Sequence, residues 1–380
     1  MNARYEPLFA SFRLPSGVRL NNRVMMAPMG IGASGPNGEV TDTELAYYRA
    51  RAQGVGAIIT ASALVSQNGR FIQHGLGIDH DELLPGLKKL AAVIQENGAK
   101  AIVQLYHGGR LGNPAMVPSG HALGPSTIAA EREGAAIPKA MTEADIETAI
   151  EEFAQATRRA IEAGFDGVEI LGANGFLIHQ FFSPHANRRE DKWGGTLEKR
   201  MAFPLAVVKR VQQTVAAYAT SPFAVGYRIS PEEKETPGIT MADTLHFVDV
   251  LAEQNLDYIH LSVEHFWQSP RTDDKIAKPR IVMVQELVGD RVPLIGVGGL
   301  WTPDDVVEAL STGVPLISLG HAMMINPEWV TLVQNGREDE IKTTLSRSAQ
   351  AKLAIPDGIW GRIMSIPGWF QVVDEESTEG

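Results

Sequence analysis

The sequence predicts an α/β protein folded as one (β/α)8 TIM barrel over residues 1–380, and three observations carry that expectation. Eight short apolar runs end in glycine or polar residues: Arg23–Met29, Ala57–Ala61, Lys100–Leu105, Asp166–Leu171, Pro222–Arg228, Asp257–Ser262, Pro293–Val297 and Val314–Leu319. Runs without strict alternation suit strands buried on both faces, as in parallel sheets. Helical patterns separate them at Thr43–Gln53, Leu84–Asn97, Thr142–Ala163, Leu197–Ala217, Met241–Gln254, Val282–Val288 and Pro303–Thr312. Finally, 380 residues with 44% hydrophobic content can bury a full core, and barrels with insertions reach this length. A doubly wound open sheet is the competitor. It rarely needs eight such units, and no GxGxxG follows the first run.

The unit at Thr142–Arg200 justifies the pattern in miniature. Thr142 and Asp145 form a capping-box start, and Ile146, Ile150, Phe153, Thr157 and Ile161 share one helical face. Gly164 sits at the C′ position. The following run breaks at Gly172 into a loop rich in Asn, His, Arg and Gly, and a helix resumes at about Thr196. Polar loops at strand C-termini are where such barrels hold their chemistry. Outside the alternation, Phe12–Asn22 reads as a hairpin closing the barrel bottom, and His107–Ala140 as a long excursion after strand three that walls or lids a site. An acidic tail, from about 371 to 380, reads as disordered.

Composition narrows the function. With no cysteine, the chain has no disulfide, no Cys-ligated zinc and no iron–sulfur cluster, so redox work falls to an organic cofactor. A formal charge of −11 argues against nucleic acid or an anionic membrane as partner. No basic-then-apolar leader and no span-length apolar run is evident, so a cytoplasmic protein is expected. The ten histidines show no HExxH or similar spacing, so no metal site is expected, and His179 reads as a packing histidine.

Glycines end strand seven (Gly296–Leu300, GVGGL) and strand eight (Leu319–Met324, LGHAMM). Loops there, with free N–H groups at a helix start, form the usual phosphate site of these barrels; turn geometry alone is the plainer reading. Arg228 ends strand five, a permanent cation suited to an anion or to a ligand that gains charge on reduction, or else to a rim ion pair. Gln104 and Tyr106 share a face of strand three and offer an amide and a phenol, although a buried glutamine can simply pack.

The segments RVMMAPM, GRFIQHGLGI, IVQLYHGGR, GPSTI, EEFAQATRRAIEAGFDGVEI, GFLIHQFFSPHANRREDKWGG, VGYRISPEE and ISLGHAMMINPEW together resemble the old yellow enzyme family of FMN-dependent ene-reductases, nearer its 2,4-dienoyl-CoA reductase-like branch. The resemblance runs from about Phe9 to Trp369. It implies non-covalent FMN, reduction by NADH or NADPH, and hydride transfer from N5 to an electrophilic carbon of an alkene with a proton added at its neighbour. By resemblance, Ala27, Pro28, Met29, Gly30 and Ser62 lie beside the flavin, Gln104 meets its pyrimidine edge, and Arg228 faces N1 and O2. Gly298, Gly299, Gly320 and His321 meet the phosphate, and Asn174 binds substrate above the ring.

Four positions depart from the family pattern. Leu171 stands where most members carry His, Phe176 where the proton-donating Tyr falls, Gly30 where a Thr or Cys touches the flavin, and His321 where an Arg holds the phosphate. One lost oxyanion donor costs roughly 3 kcal/mol, and a lost general acid about 100-fold. The dienoyl-CoA branch also lacks the His at the Leu171 position. Tyr106, His265 (which falls in the region of that branch's catalytic His) or water would then supply the proton. Alternatives are an FMN enzyme with other acceptors (quinone or nitro reductase, oxidase, amine dehydrogenase-like) and a non-catalytic flavin-binding barrel. A phosphate held by His321 should loosen as pH rises through the imidazole titration. A homo-oligomer is a possible assembly.

Overall fold

Eight parallel strands close into a barrel in the computed structural model, which describes residues 1–271 and 276–374. The barrel strands are β1 Val24–Met26, β2 Ala57–Ile59, β3 Lys100–Tyr106, β4 Gly167–Gly172, β5 Ala224–Ile229, β6 Tyr258–Leu261, β7 Leu294–Gly296 and β8 Leu316–Leu319. Each pairs in parallel with the next in sequence, and β8 pairs with β1 to complete the ring. All eight apolar runs become strands; β3, β4 and β5 reach one residue further at their C-terminal ends, and the others are shorter than the runs. Between them run α1 Asp42–Arg51, α2 Leu84–Gln95, α3 Glu143–Glu162, α4 Leu197–Tyr218, α5 Met241–Ala252, α6 Arg280–Val288 and α7 Pro303–Ser311. The capping box at Thr142 and Asp145 forms as read, and Gly164 follows α3 at φ 85°. Among the described residues no helix is long and apolar enough to cross a membrane.

Inward-facing positions stack in layers because strand side chains alternate. The lowest layer is apolar: Met25, Ile59, Ile102, Ala224, Tyr258, Ile295 and Leu316 are buried with Leu14, Val18 and Leu20 of the N-terminal hairpin. That hairpin pairs Phe12 with Leu20 and Arg13 with Arg19, and it stoppers the bottom as expected. One layer further up, four strands turn polar inside, at Gln104, Glu169, His260 and Ser318. Placing polarity at this height, one layer above a sealed base, makes the C-terminal mouth the end that meets a ligand.

The loops over the mouth hold three features the pattern did not foretell. Ala63–Leu64 resumes pairing with the end of β3 after a break beyond β2, so the wall is taller there. The excursion after β3 folds on itself through a short ladder, Leu123–Gly124 against Lys139–Ala140. The C-terminal segment returns as a cover. Helix Asp357–Ser365 is fastened to the β1 loop by the Ile359 N–H donating to the Ile31 carbonyl at 3.0 Å. Val372–Val373 pairs with Leu345–Ser346. The tail expected to be disordered from about 371 is therefore ordered as far as Asp374, whose carboxylate meets Arg347 at 2.7 Å. Residues 375–380 lie outside the described residues.

Candidate active site

A cavity of about 740 Å³ opens at the mouth. Ten residues singled out from the sequence line it: Ala27, Pro28, Met29, Gly30, Arg228, His265, Gly298, Gly299, Gly320 and His321. They come from β1, β5, β6, β7 and β8, so chain closure assembles the site. Two glycines in the wall are conformational requirements. Gly298 adopts φ 118°, and a Cβ there would fall 2.9 Å from the His265 backbone nitrogen. Gly299 adopts φ 63°, and a Cβ would meet the His265 ring at 2.7 Å. Both line the cavity and pack against the β6 loop too closely for a side chain. The exposed ring of His265 stands at this β7 wall.

Beneath the cavity lies a buried polar chain that sequence reasoning missed apart from Gln104. The Gln104 amide donates to Glu169 at 2.6 Å, the other Glu169 oxygen pairs with His260 Nδ1 at 2.9 Å, and His260 Nε2 meets Ser318 Oγ at 2.8 Å. Burial pushes the Glu169 carboxyl up, but the His260 ring, the Arg228 guanidinium and the Gln104 amide outweigh it and hold it below the usual carboxylate range. Burial keeps His260 below its ordinary value, hence neutral. Its Nδ1–H therefore donates to Glu169 while Nε2 accepts from Ser318. Glu169 and His260 had a readable signal: an ionisable side chain at an inward position of an otherwise apolar run.

Arg228 is buried, and its Nε has no hydrogen-bond partner. A buried cation that lines a cavity suits a ligand edge that carries or gains negative charge. Gln104, its amide nitrogen committed to Glu169, still has its carbonyl oxygen and second N–H for a heterocycle. Glycine backbone from the β7 and β8 loops lines the same cavity. Donors for a ring edge together with glycine amides for a phosphate fit FMN.

The remaining predicted residues do not line this cavity. Asn174 adopts φ 57°, held there by its N–H donating to Ser230 Oγ at 2.9 Å. Its side-chain oxygen accepts from Ser262 at 3.0 Å and Ser230 at 3.3 Å, which leaves the exposed amide N–H₂ to donate outward. Tyr106 is buried with Leu64, Leu171 and Ala173, and its ring packs edge-on to Phe176 at 5.2 Å. Burial pushes its phenol up to about 12, so it is protonated throughout the neutral range. Ser62, half-buried, occupies the break after β2. His179 pairs with Glu233 at 2.9 Å and does not line the cavity.

His321 is ringed by aromatics: Phe370 at 4.2 Å, Trp301 and Trp369 each at 5.8 Å. Burial lowers its pKa below the ordinary histidine value. At neutral pH it therefore offers a phosphate a neutral ring.

A cavity of this size at the C-terminal mouth of a barrel, lined by a buried arginine and by glycine backbone, is the site of a barrel enzyme that takes an anionic, ring-bearing ligand. The chain belongs to the NADH:flavin oxidoreductase / NADH oxidase family, whose sequence profile matches residues 7–340. It is 43% identical over 374 residues to a probable NADH-dependent flavin oxidoreductase of Bacillus subtilis, YqiG, covering 98% of this chain and all of that one. Against the NADH:acrylate oxidoreductase of Vibrio harveyi it is 44% identical over 349 residues, 91% of this chain but only 34% of that protein. The solved structure of morphinone reductase in complex with tetrahydroNAD superposes with a TM-score of 0.74 at 26% identity, covering 87% of this chain and 91% of that one. The protein is thus an NAD(P)H-dependent flavin oxidoreductase of the old yellow enzyme type, with FMN as its cofactor. That membership sets aside a purely non-catalytic barrel.

Proposed function

We propose that this enzyme reduces activated alkenes, small conjugated acids or carbonyl compounds of the acrylate and fumarate kind, with Tyr106 as the proton donor. FMN, when bound, supplies the hydride chemistry, taking hydride from NADH or NADPH and delivering it through N5 to the electrophilic carbon. Everything else is the work of this chain's side chains. Arg228 stabilises charge that collects at the ring edge below, and Glu169 limits how strongly it does so. Gln104, fixed by Glu169, orients the heterocycle. The outward N–H₂ of Asn174 polarises the carbonyl or carboxylate of the alkene, which makes its far carbon electrophilic. Leu171 adds no second donor there, so activation rests on Asn174 alone, and a substrate carrying its own strong withdrawing group is favoured.

The observation that carries the reading is the contact between Tyr106 and Phe176. The hydroxyl missing at 176 is supplied by a phenol packed against the same ring from β3. A phenol at about 12 is a weak acid, suited to protonating a carbon only once hydride has made it basic. His265, against Gly299 at the β7 wall, belongs on this reading to cofactor binding. The test is Tyr106→Phe in stopped flow. Alkene reduction should fall about 100-fold while reduction of bound flavin by nicotinamide is unchanged; full alkene turnover would remove Tyr106 from the role.

One observation favours a second reading. Phe71 and Phe176, both partly exposed and edge-on to each other at 5.8 Å, offer an aromatic surface that suits a flat acceptor needing no positioned acid. Quinone turnover without acrylate or enone turnover would select that reading.

A further inference from the structure

We propose that Arg362, on the C-terminal helix Asp357–Ser365, is the cation that holds the phosphate of FMN, in place of the β8-loop position occupied by His321. The inference rests on FMN occupying the mouth cavity.

Three observations converge on it. Arg362 lines the cavity together with Gly299, Gly320 and His321, although it lies over forty residues beyond His321 in sequence. Its guanidinium is oriented by the Trp369 ring, 5.4 Å from the ring centroid. Among the described residues it has no carboxylate partner, whereas its neighbours in the same segment do: Arg337 is paired with Glu340, and Arg347 with Asp374. A cation left unpaired in a chain of net charge −11 and turned toward a cavity is available to an anion. The acid nearest this wall, Glu264, is engaged by Arg271 at 3.5 Å.

The support is rigid. Gly358 lies against Gly32, where a Cβ on the latter would come within 3.4 Å of it, and the Ile359–Ile31 hydrogen bond fixes the helix to the β1 loop. Arg228 and Arg362 both line the cavity, one from the barrel wall and one from the C-terminal cover. A ligand with an electron-poor ring at one end of a polyol and a phosphate at the other has a use for two separate cations. His321, hemmed by three aromatic rings, is left to pack under the phosphate rather than to neutralise it.

The experiment titrates flavin-free protein with FMN and, separately, with riboflavin, following quenching of flavin fluorescence. Arg362→Gln should weaken FMN roughly tenfold, as expected for one charge-assisted contact at a partly exposed site. Riboflavin affinity should stay within about twofold of the wild type, since the phosphate is the only group Arg362 addresses. The FMN affinity of the variant should also depend less on salt. FMN affinity unchanged within about twofold would overturn the proposal, as would an equal loss for riboflavin, which would mark Arg362 as merely structural. If the wild-type protein binds neither flavin, the flavin reading of the cavity falls and takes this one with it.

Discussion

Replacing Glu169 tests whether the buried polar chain under the site is held by hydrogen bonds. In Glu169→Leu, the Gln104 N–H donor and one His260 ring nitrogen lose their partner, whichever tautomer the ring adopts. Each orphaned buried group costs about 1–3 kcal/mol, so together roughly 2–6 kcal/mol. In Glu169→Gln the new carbonyl accepts from Gln104, and the new amide donates to His260 Nδ1. The ring then switches tautomer and donates through Nε2 to Ser318, 2.8 Å away. All bonds re-form. Both variants lose the same negative charge beside Arg228, so that electrostatic change cancels in their comparison. Urea unfolding of the FMN-free protein, followed by far-ultraviolet circular dichroism, should therefore find the Leu variant less stable than the Gln variant by about 2–6 kcal/mol. A difference under about 1 kcal/mol would refute the reasoning, because the pairing drawn above would then contribute little.

Two further outcomes are expected. Gly298→Ala should abolish FMN retention, because its φ of 118° and the 2.9 Å approach to backbone leave no room to relax; Gly299→Ala, at φ 63° against an exposed ring that can turn away, should cost only about 1 kcal/mol and keep the flavin. FMN content after gel filtration and thermal melts distinguish the two. Glu44 in α1 is pushed up by burial to about 7 from an ordinary 4.5, so between those values the folded protein holds a proton that the unfolded chain releases. Stability should accordingly decline as pH rises from about 4.5 to 7, and Glu44→Gln should flatten that slope, leaving the part owed to Glu152, which shifts the same way. A slope identical in wild type and variant would count against the assignment.

How much of this was visible in the chain depends on where the determining contacts lie. Barrel strands are covered on both faces, so β1 to β8 appear as apolar runs whatever surrounds them, and the capped helices between them carry local signals such as Thr142 and Asp145. The glycines at β7 and β8, and Arg228, were legible because strand ends mark the mouth. Glu169 and His260 are 91 residues apart, and nothing local links them; their pairing follows from strand order and inward parity. Tyr106 and Phe176 were weighed separately, and only folding puts one ring against the other. The C-terminal cover was overlooked because its two-residue strand, Val372–Val373, is too short to stand out beside an acidic tail, and it exists by pairing with Leu345–Ser346.

The hairpin beneath the barrel has a kinetic corollary. With Leu14, Val18 and Leu20 wedged among the lower side chains, nothing can pass through from below. Every reactant must therefore come and go through the C-terminal mouth. On the function proposed above, nicotinamide and alkene would share that entrance, so excess of either should slow turnover of the other.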